Sequence, residues 1–245
     1  MSETASRPET TTPQLVLLSF PVHEMYCNPR ATQTILDDNT VNIEQWLADR
    51  VADKMSRTEN TSFVNGDGVG KPRGFMNQSF VANASWTWGN VGYIPTGLGA
   101  SFIAPDAALA KSPADCLYKL VYTLKAEYRA NATWVMNSNT AGIVRQFKDA
   151  QARFLWTDSL VAGQPNFLMG YPVAIAEDMA DIGADTFPIA FGDFGRAYII
   201  VDRIGVRVLR DPYTAKPFVL FYTTKRVGGG VDNYDAYKVL KVAAN

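Results

Sequence analysis

The most regular alternation of apolar and polar positions lies between Ile43 and Arg57. Ile43, Trp46, Leu47, Val51 and Met55 recur at three- and four-residue steps, while Glu44, Asp49, Arg50, Asp53, Lys54 and Arg57 occupy the other faces. The spacing predicts a long helix with one buried stripe. Asn42 is its expected N-cap, with Thr40 as the alternative, and the pattern fades near Glu59 and Asn60. A loop rich in glycine follows, with Gly66, Gly68, Gly70 and Gly74 around Pro72, and its backbone is expected to visit positive φ.

The remaining periodicities are shorter. Leu15 to Phe20 suits a strand, and Pro21 and Pro29 bracket an expected turn region. Phe80 to Ile94, with Trp86, Trp88 and Tyr93, predicts short strands sharing an aromatic face, and Pro95 to Gly99 a hinge. Ser112, Pro113 and Asp115 form a helix start, followed by a stripe of Leu117, Leu120, Val121, Leu124 and Tyr128. A strand at Ala132 to Met136 precedes a helix capped by Asn137 or Ser138, with Ile143, Val144 and Phe147 on its apolar face. Strands at Phe154 to Trp156, Pro172 to Ala176 and Pro188 to Phe191 complete an α+β unit. The last part is β-rich: strands at Arg196 to Arg203, Val206 to Arg210, Phe218 to Thr224 and Tyr237 to Val242, with a turn at Asp211 to Pro217. Gly228 to Gly230, with Asp232 and Asn233, is expected to be a flexible connection. Met1 to Pro13, rich in Thr, Ser, Glu and Pro, predicts an extended arm.

Composition narrows the class. The 245 residues, 47% hydrophobic and 19% charged, can bury a sizeable core. A net charge of -1 gives no broad attraction for nucleic acid, which disfavours a dedicated DNA-binding protein. Cys27 and Cys116 make no disulfide framework and fit a reducing compartment as small buried hydrophobes. No apolar run approaches the roughly 20 residues of a membrane span, and the N-terminus carries no secretory signal, so a soluble protein is expected.

Candidate chemistry reads as structural at each place. His23 is the lone histidine and no Gly-x-Ser-x-Gly elbow accompanies it, so a hydrolase triad has little to build on. One His and two distant Cys supply too few zinc ligands. The glycine loop fails as a phosphate loop, because Asn65 stands where glycine is needed and Pro72 follows Lys71. It fails as a calcium loop because Val69 and Met76 occupy ligand positions. Asp37 and Asp38 are expected before a helix N-terminus, where negative charge is favoured, and Glu177, Asp178, Asp181 and Asp185 read as surface carboxylates. No cofactor requirement emerges.

Several stretches recur in one order along the chain: Leu36-Asp37-Asp38, the Trp46 helix, Phe63-Val64-Asn65-Gly66-Asp67-Gly68, Lys71-Pro72-Arg73-Gly74-Phe75, Thr133-Trp134-Val135-Met136-Asn137, Gly170-Tyr171-Pro172-Val173, Phe191-Gly192-Asp193-Phe194 and Tyr198-Ile199-Ile200-Val201-Asp202-Arg203. In this order they resemble the tailed-phage major capsid proteins of the Hong Kong 97 fold, and gene transfer agent capsids in particular. The resemblance implies a peripheral domain built on a long spine helix and a β-sheet, and an axial α+β domain. Residues 1–20 would be the remnant of an extended loop, the chain beginning partway down that hairpin. Residues 21–95 and 191–230 would form the peripheral domain, 96–190 the axial domain, and 231–245 a strand returning to it.

By the same resemblance the protein is a structural shell subunit of a virion, assembling into pentamers and hexamers around packaged DNA held without sequence-specific binding. Its partners would be its own copies, a portal protein, and a scaffold or maturation protease, with no membrane. Arg203, Arg207, Arg210, Asp211 and Lys216 fall near the implied peripheral tip, where neighbouring capsomers meet, and are the candidate inter-subunit contacts. Some relatives join a loop Lys to a tip Asn by an isopeptide bond. Here no Lys precedes Lys54 and the tip turn carries no Asn, so the resemblance does not extend to that linkage. The alternatives are an encapsulin-like compartment and a soluble enzyme using His23 and the acidic pairs.

Overall fold

The computed structural model describes residues 17–38, 42–106, 111–148, 154, 156 and 167–244. In chain order the elements are β1 (Val22–Cys27), β2 (Arg30–Thr32), α1 (Gln33–Asp38), α2 (Ile43–Asn65), β3 (Phe80–Ala82), β4 (Val91–Pro95), α3 (Asp115–Thr123), α4 (Ala126–Arg129), β5 (Thr133–Met136) and α5 (Ser138–Arg145). They continue with β6 (Phe167–Leu168), β7 (Tyr171–Ile175), β8 (Ile189–Gly192), α6 (Phe194–Ala197), β9 (Tyr198–Asp211), β10 (Phe218–Val231) and β11 (Tyr237–Lys241). Two sheets result. A seven-stranded mixed sheet runs β3-β4-β11-β8-β5-β7-β6, and a four-stranded sheet places β10 between β9 on one side and β1 with β2 on the other.

The central strands of the seven-stranded sheet, β11, β8 and β5, are covered on both faces and alternate accordingly. Trp134, Met136, Ile189, Phe191 and Leu240 point to the face packed by Leu117, Leu120 and Leu124 of the α3 region and Val144 of α5. Ala190, Tyr237 and Val239 point to the opposite face, against Val64 at the end of α2, Phe75 and Ala197. This period of two, with both sets buried, gives near-continuous apolar runs in the central strands. Each fully buried Leu, Ile or Phe stabilises the fold by roughly 1.5–3 kcal/mol.

The helices start where side chains can satisfy the first N–H groups. Asn42 accepts from the Gln45 N–H at 3.1 Å, and the Asn137 amide oxygen accepts from Thr140 N–H at 2.7 Å. α3 differs from the expected start: its N-cap is Ala114, with no side-chain cap, and in the turn before it Ser112 Oγ accepts from Ala114 N–H while the Ser112 N–H donates to Asp115. α2 runs six residues beyond Glu59, because Phe63 and Val64 find partners in the glycine loop. Gly74 and Phe75 donate backbone hydrogen bonds back to Gly66 and Phe63. A Cβ on Gly74 would lie 2.3 Å from the Val64 carbonyl oxygen, so only glycine permits that closure.

Several expectations are corrected. Leu17 to Phe20 forms no strand, while Leu15 and Val16 lie outside the described residues. The strand is β1, inside the segment expected to turn, because Val22 to Cys27 finds an antiparallel partner in Thr223 to Gly228. Trp46 is 51% exposed rather than part of a buried stripe. Of α2 only Val51, Met55 and Val64 are buried, and the Trp46 ring carries the Arg50 guanidinium instead. Asp37 and Asp38 belong to the short helix α1, which the pattern did not reveal. Trp86 and Trp88 lie outside strands, since a 3-10 turn at Asn83–Ser85 separates β3 from β4. The helix expected through Tyr128 breaks at Leu124, so Tyr128 sits in α4. The strand expected at Phe154 to Trp156 is reduced to a single bridge between Lys148 and Phe154, with residue 155 outside the described set.

The last two corrections concern the four-stranded sheet. The two strands expected from Arg196 to Arg210 are one, β9, which absorbs Gly205 through register shifts against β10. Gly228 to Gly230 is not a flexible link but part of β10. A Cβ on Gly228 would lie 2.5 Å from the Pro21 carbonyl oxygen, and one on Gly230 2.7 Å from the Phe20 ring, so the glycines let the chain before β1 lie close against β10. Cys27 is half-buried and Cys116 buried; both are free thiols.

Candidate assembly surface

The predicted contact residues lie on β9 and the turn that follows it. Arg203, Arg207 and Arg210 are exposed on the strand, Asp211 ends it half-buried, and exposed Lys216 closes the turn before β10. The structure brings Arg210 and Asp211 into defined roles. Arg210 Nε lies 3.2 Å from Glu44 Oε1 on the first turn of α2. The pair is half exposed on both sides and adds little stability; it fixes where the helix start stands relative to the strand.

Asp211 organises the turn. Its carboxylate accepts from the Tyr213 N–H at 2.9 Å, the Thr214 N–H at 3.2 Å and the Thr214 hydroxyl. The Thr214 hydroxyl and the Tyr213 N–H hold its pKa below the ordinary carboxylate value, so it stays an anion. Arg203, Arg207 and Lys216 make no ion pair among the described residues.

Sequence reasoning missed the apolar part of this surface. Between the first half of α2 and the strands β9 and β10 runs a groove of about 580 Å³, lined by Leu47, Ala48, Val51, Val206, Val208 and Phe221, with Glu44 and Arg210 at its polar margin. Val206, Val208 and Leu209 are 52%, 57% and 62% exposed. On the face away from α2, Tyr26 and Tyr222 stack at 6.3 Å between centroids and are also exposed. The available signal was that β9 carries large aliphatic residues at consecutive positions, Val208 and Leu209, which a strand buried on one face alone cannot both hide.

The second half of α2 is anchored to the large sheet. Thr61 Oγ1 donates to Asp178 at 2.8 Å, Tyr198 donates from its hydroxyl to the Arg73 carbonyl at 3.0 Å, and Tyr237 to the Phe75 carbonyl at 2.8 Å. Glu59 pairs with Lys225 of β10, linking helix to small sheet. One end of the helix is held and the other stands beside a strand with its apolar groups open.

The other candidate groups serve structure. His23 lies on β1 in a small cleft with Glu24, Glu59, Lys71, Thr58 and Ser62, and the two hydroxyls there donate to helix carbonyls, Thr58 to that of Lys54 and Ser62 to that of Thr58. Glu177 accepts from Ser138 at the start of α5. Asp181 accepts from Asn137 at 2.8 Å and from Asn139 at 3.0 Å, which lowers its pKa. In the glycine loop Asp67 accepts from the Val69 N–H and pairs with Lys71. Among the described residues no group of three or more His, Cys, Asp or Glu side chains is placed to hold a metal ion, and no helix is long and apolar enough to cross a membrane.

Comparison with known proteins identifies the family. The phage capsid family model matches residues 1–242. Among solved structures, the capsid of the native gene transfer agent particle is 55% identical, with a TM-score of 0.91, covering 100% of this chain and 80% of that one. The capsid of the empty particle is equally identical, with a TM-score of 0.89 over the same shares. The SrpI encapsulin of Synechococcus elongatus PCC 7942 shares the fold at 15% identity, a TM-score of 0.62, and 91% and 75% coverage. No curated protein sequence matches. The α+β architecture, with its long helix, glycine loop and paired sheets, is the capsid fold, and the chain belongs to the phage capsid family.

Proposed function

We propose that the protein is the major shell subunit of a phage or gene transfer agent particle, and that it works by assembly rather than catalysis. The observation that carries this reading is 55% identity to a gene transfer agent capsid over the whole chain. The encapsulin is similar in fold alone, at 15% identity, and gives no reason to prefer an enzyme-filled compartment. The exposed aliphatic run of β9 and the open groove beside α2 support the same reading, because apolar surface of this extent marks sites that meet another protein.

Residues 21–95 and 191–230 are assigned to a peripheral region and 96–190 to an axial region, with 231–245 returning to the latter. β3 and β4 join them, since they precede residue 96 and bond into the seven-stranded sheet through β11. Copies associate into pentamers and hexamers, and neighbouring capsomers meet at the strand and turn that carry Arg203, Arg207, Arg210, Asp211 and Lys216. Each contact is weak, but every subunit engages several neighbours, so closure makes loss of any one improbable. A portal, a scaffold or maturation protease, and enclosed DNA bound without sequence preference complete the proposed set of partners.

The test is electron microscopy of the purified protein. Closed particles with five- and six-fold clusters of subunits are expected. A monodisperse monomer with hydrolytic activity that vanishes on His23→Ala overturns the reading.

A further inference from the structure

β9 and β10 are each 14 residues long, but only β10 is bonded along both of its edges. β9 uses one edge, and no described backbone group bonds the other. Proteins blunt such an edge with proline, with bulges or by covering it. β9 contains no proline, and its register shifts are confined to the stretch opposite Thr224 to Val227. From Arg207 to Asp211 the ladder with β10 is regular, residue by residue, so this part of the outer edge is a straight row of open N–H and C=O groups. The same stretch carries two of the most exposed aliphatic side chains of the strand, Val208 and Leu209.

The order of charges within the stretch says what fits it. Arg207, Leu209 and Asp211 are alternate residues and share one face, opposite to that of Val208 and Arg210. When this sequence runs antiparallel to itself with its centre at Leu209, each Arg207 stands opposite Asp211 and leucine stands opposite leucine. Opposite charges directly across a strand pair are favourable, and like charges are not. Moving the centre to residue 208 sets Asp211 against Gly205, within the irregular stretch. Asp211 is held as an anion by its own turn, and Arg207 has no partner among the described residues, so both charges are available.

We propose that the outer edge of β9 from Arg207 to Asp211 pairs antiparallel with the same segment of a second copy, about a two-fold axis at Leu209, so that each Arg207 faces the partner's Asp211. Two four-stranded sheets then become one sheet of eight. The pairing rests on the shell reading above and names one contact by which neighbouring subunits are joined.

The test uses assembled particles. In such a pair the two Leu209 Cα atoms are about 4.5–5.5 Å apart, within the range a disulfide spans. Particles of Leu209→Cys, oxidised and run on a non-reducing gel, are expected to move most of the subunit into a dimer band that wild-type particles lack. Val206→Cys, which the two-fold sets opposite the partner's Pro212 beyond the ladder, is expected to stay monomeric. Adding Arg207→Glu to Leu209→Cys is expected to lower the dimer yield several-fold, and Arg207→Lys to preserve it. Intact particles in which Leu209→Cys stays monomeric overturn the pairing and leave the shell reading standing. So does cross-linking of Leu209→Cys only to Leu17→Cys on another copy, which would give the edge to the chain's N-terminal segment. Absence of particles from the wild-type chain sinks the shell reading first, and the pairing with it.

Discussion

Replacing Glu59 with Gln tests whether the long helix is seated on the small sheet by charge. Glu59 of α2 and Lys225 of β10 meet at 2.6 Å with side chains only 14% and 17% exposed, and Asp202 of β9 lies 3.6 Å from the same ammonium. Burial works against the Lys225 charge, but Glu59 and then Asp202 outweigh it, so the pKa stands above the ordinary 10.5. Breaking a buried pair by removing one partner costs about 3–5 kcal/mol. Here Asp202 remains as a second anion and glutamine keeps a hydrogen-bond acceptor, so roughly half that range, ~2 kcal/mol, is expected. In a chain of this length ~1 kcal/mol shifts the midpoint by about 2–4 °C, which gives a fall of about 4–8 °C for Glu59→Gln. A lysine whose pKa is raised on folding contributes its stability in full below 10.5 and loses it as the pH climbs through the folded value. The gap between wild type and variant is therefore widest at neutral pH and narrows above about pH 10.5. Thermal unfolding of the subunit, followed by circular dichroism at both pH values, measures this. A variant that melts within about 1 °C of wild type at neutral pH, or a gap that fails to narrow in alkali, refutes the charge as the seat of the helix.

Two further outcomes follow from packing. Gly228→Ala forces a methyl group against the Pro21 carbonyl, which is backbone and cannot swing aside; a loss of ~1–3 kcal/mol in urea unfolding is expected, with protease cleavage between residues 17 and 22 appearing first. Trp134→Ala empties the centre of the large sheet, where the ring packs 4.4 Å from Phe191 between centroids and donates to the Leu168 carbonyl; ~3–5 kcal/mol is expected, read from the same urea curves.

What the sequence made legible divides along a physical line. Elements whose start is set by local chemistry were readable: Asn42 and Asn137 cap the helices they were expected to cap, whereas α3 starts from Ala114 rather than from the expected cap Ser112, which with Asp115 bonds the turn before it. Strands buried on both faces were readable too, since Trp134 to Met136 and Ile189 to Phe191 show their apolar character whatever packs on them. Elements decided by a distant partner were not. β1 exists because Thr223 to Gly228 lies alongside it, and nothing within Val22 to Cys27 announces that neighbour. The three glycines of β10 read as a flexible link because glycine in isolation favours one, whereas here the lack of a side chain is what admits Phe20 and Pro21. Trp46 misled as well: its spacing fits the stripe of Leu47 and Val51, but it is not among the residues that line the groove against β9 and β10, and its ring carries the Arg50 guanidinium instead. Of the assembly surface the charged half was visible and the apolar half was not.

That last division bears on where the free energy of the shell resides. The central strands of the seven-stranded sheet are buried on both faces within one chain, so their stability is already realised in the isolated subunit. The four-stranded sheet differs: Val206, Val208, Leu209, Tyr222 and Tyr26 all remain in contact with water, on both of its faces, and one long edge has no partner among the described residues. A sheet left in this condition is not optimised for the monomer. In the proposed assembly its remaining apolar surface and the open edge of β9 are covered by another chain, and each covered aliphatic side chain then contributes on the order of 1.5–3 kcal/mol at most. A handful of such groups per contact is enough for weak association, and weakness is useful in a closing shell because a misplaced subunit can leave before its neighbours trap it. In the proposed pairing the exposed arginines and the half-buried Asp211 contribute little to that sum and select which arrangement of copies the apolar groups may adopt. In that proposal affinity and register are carried by different residues of the same strand.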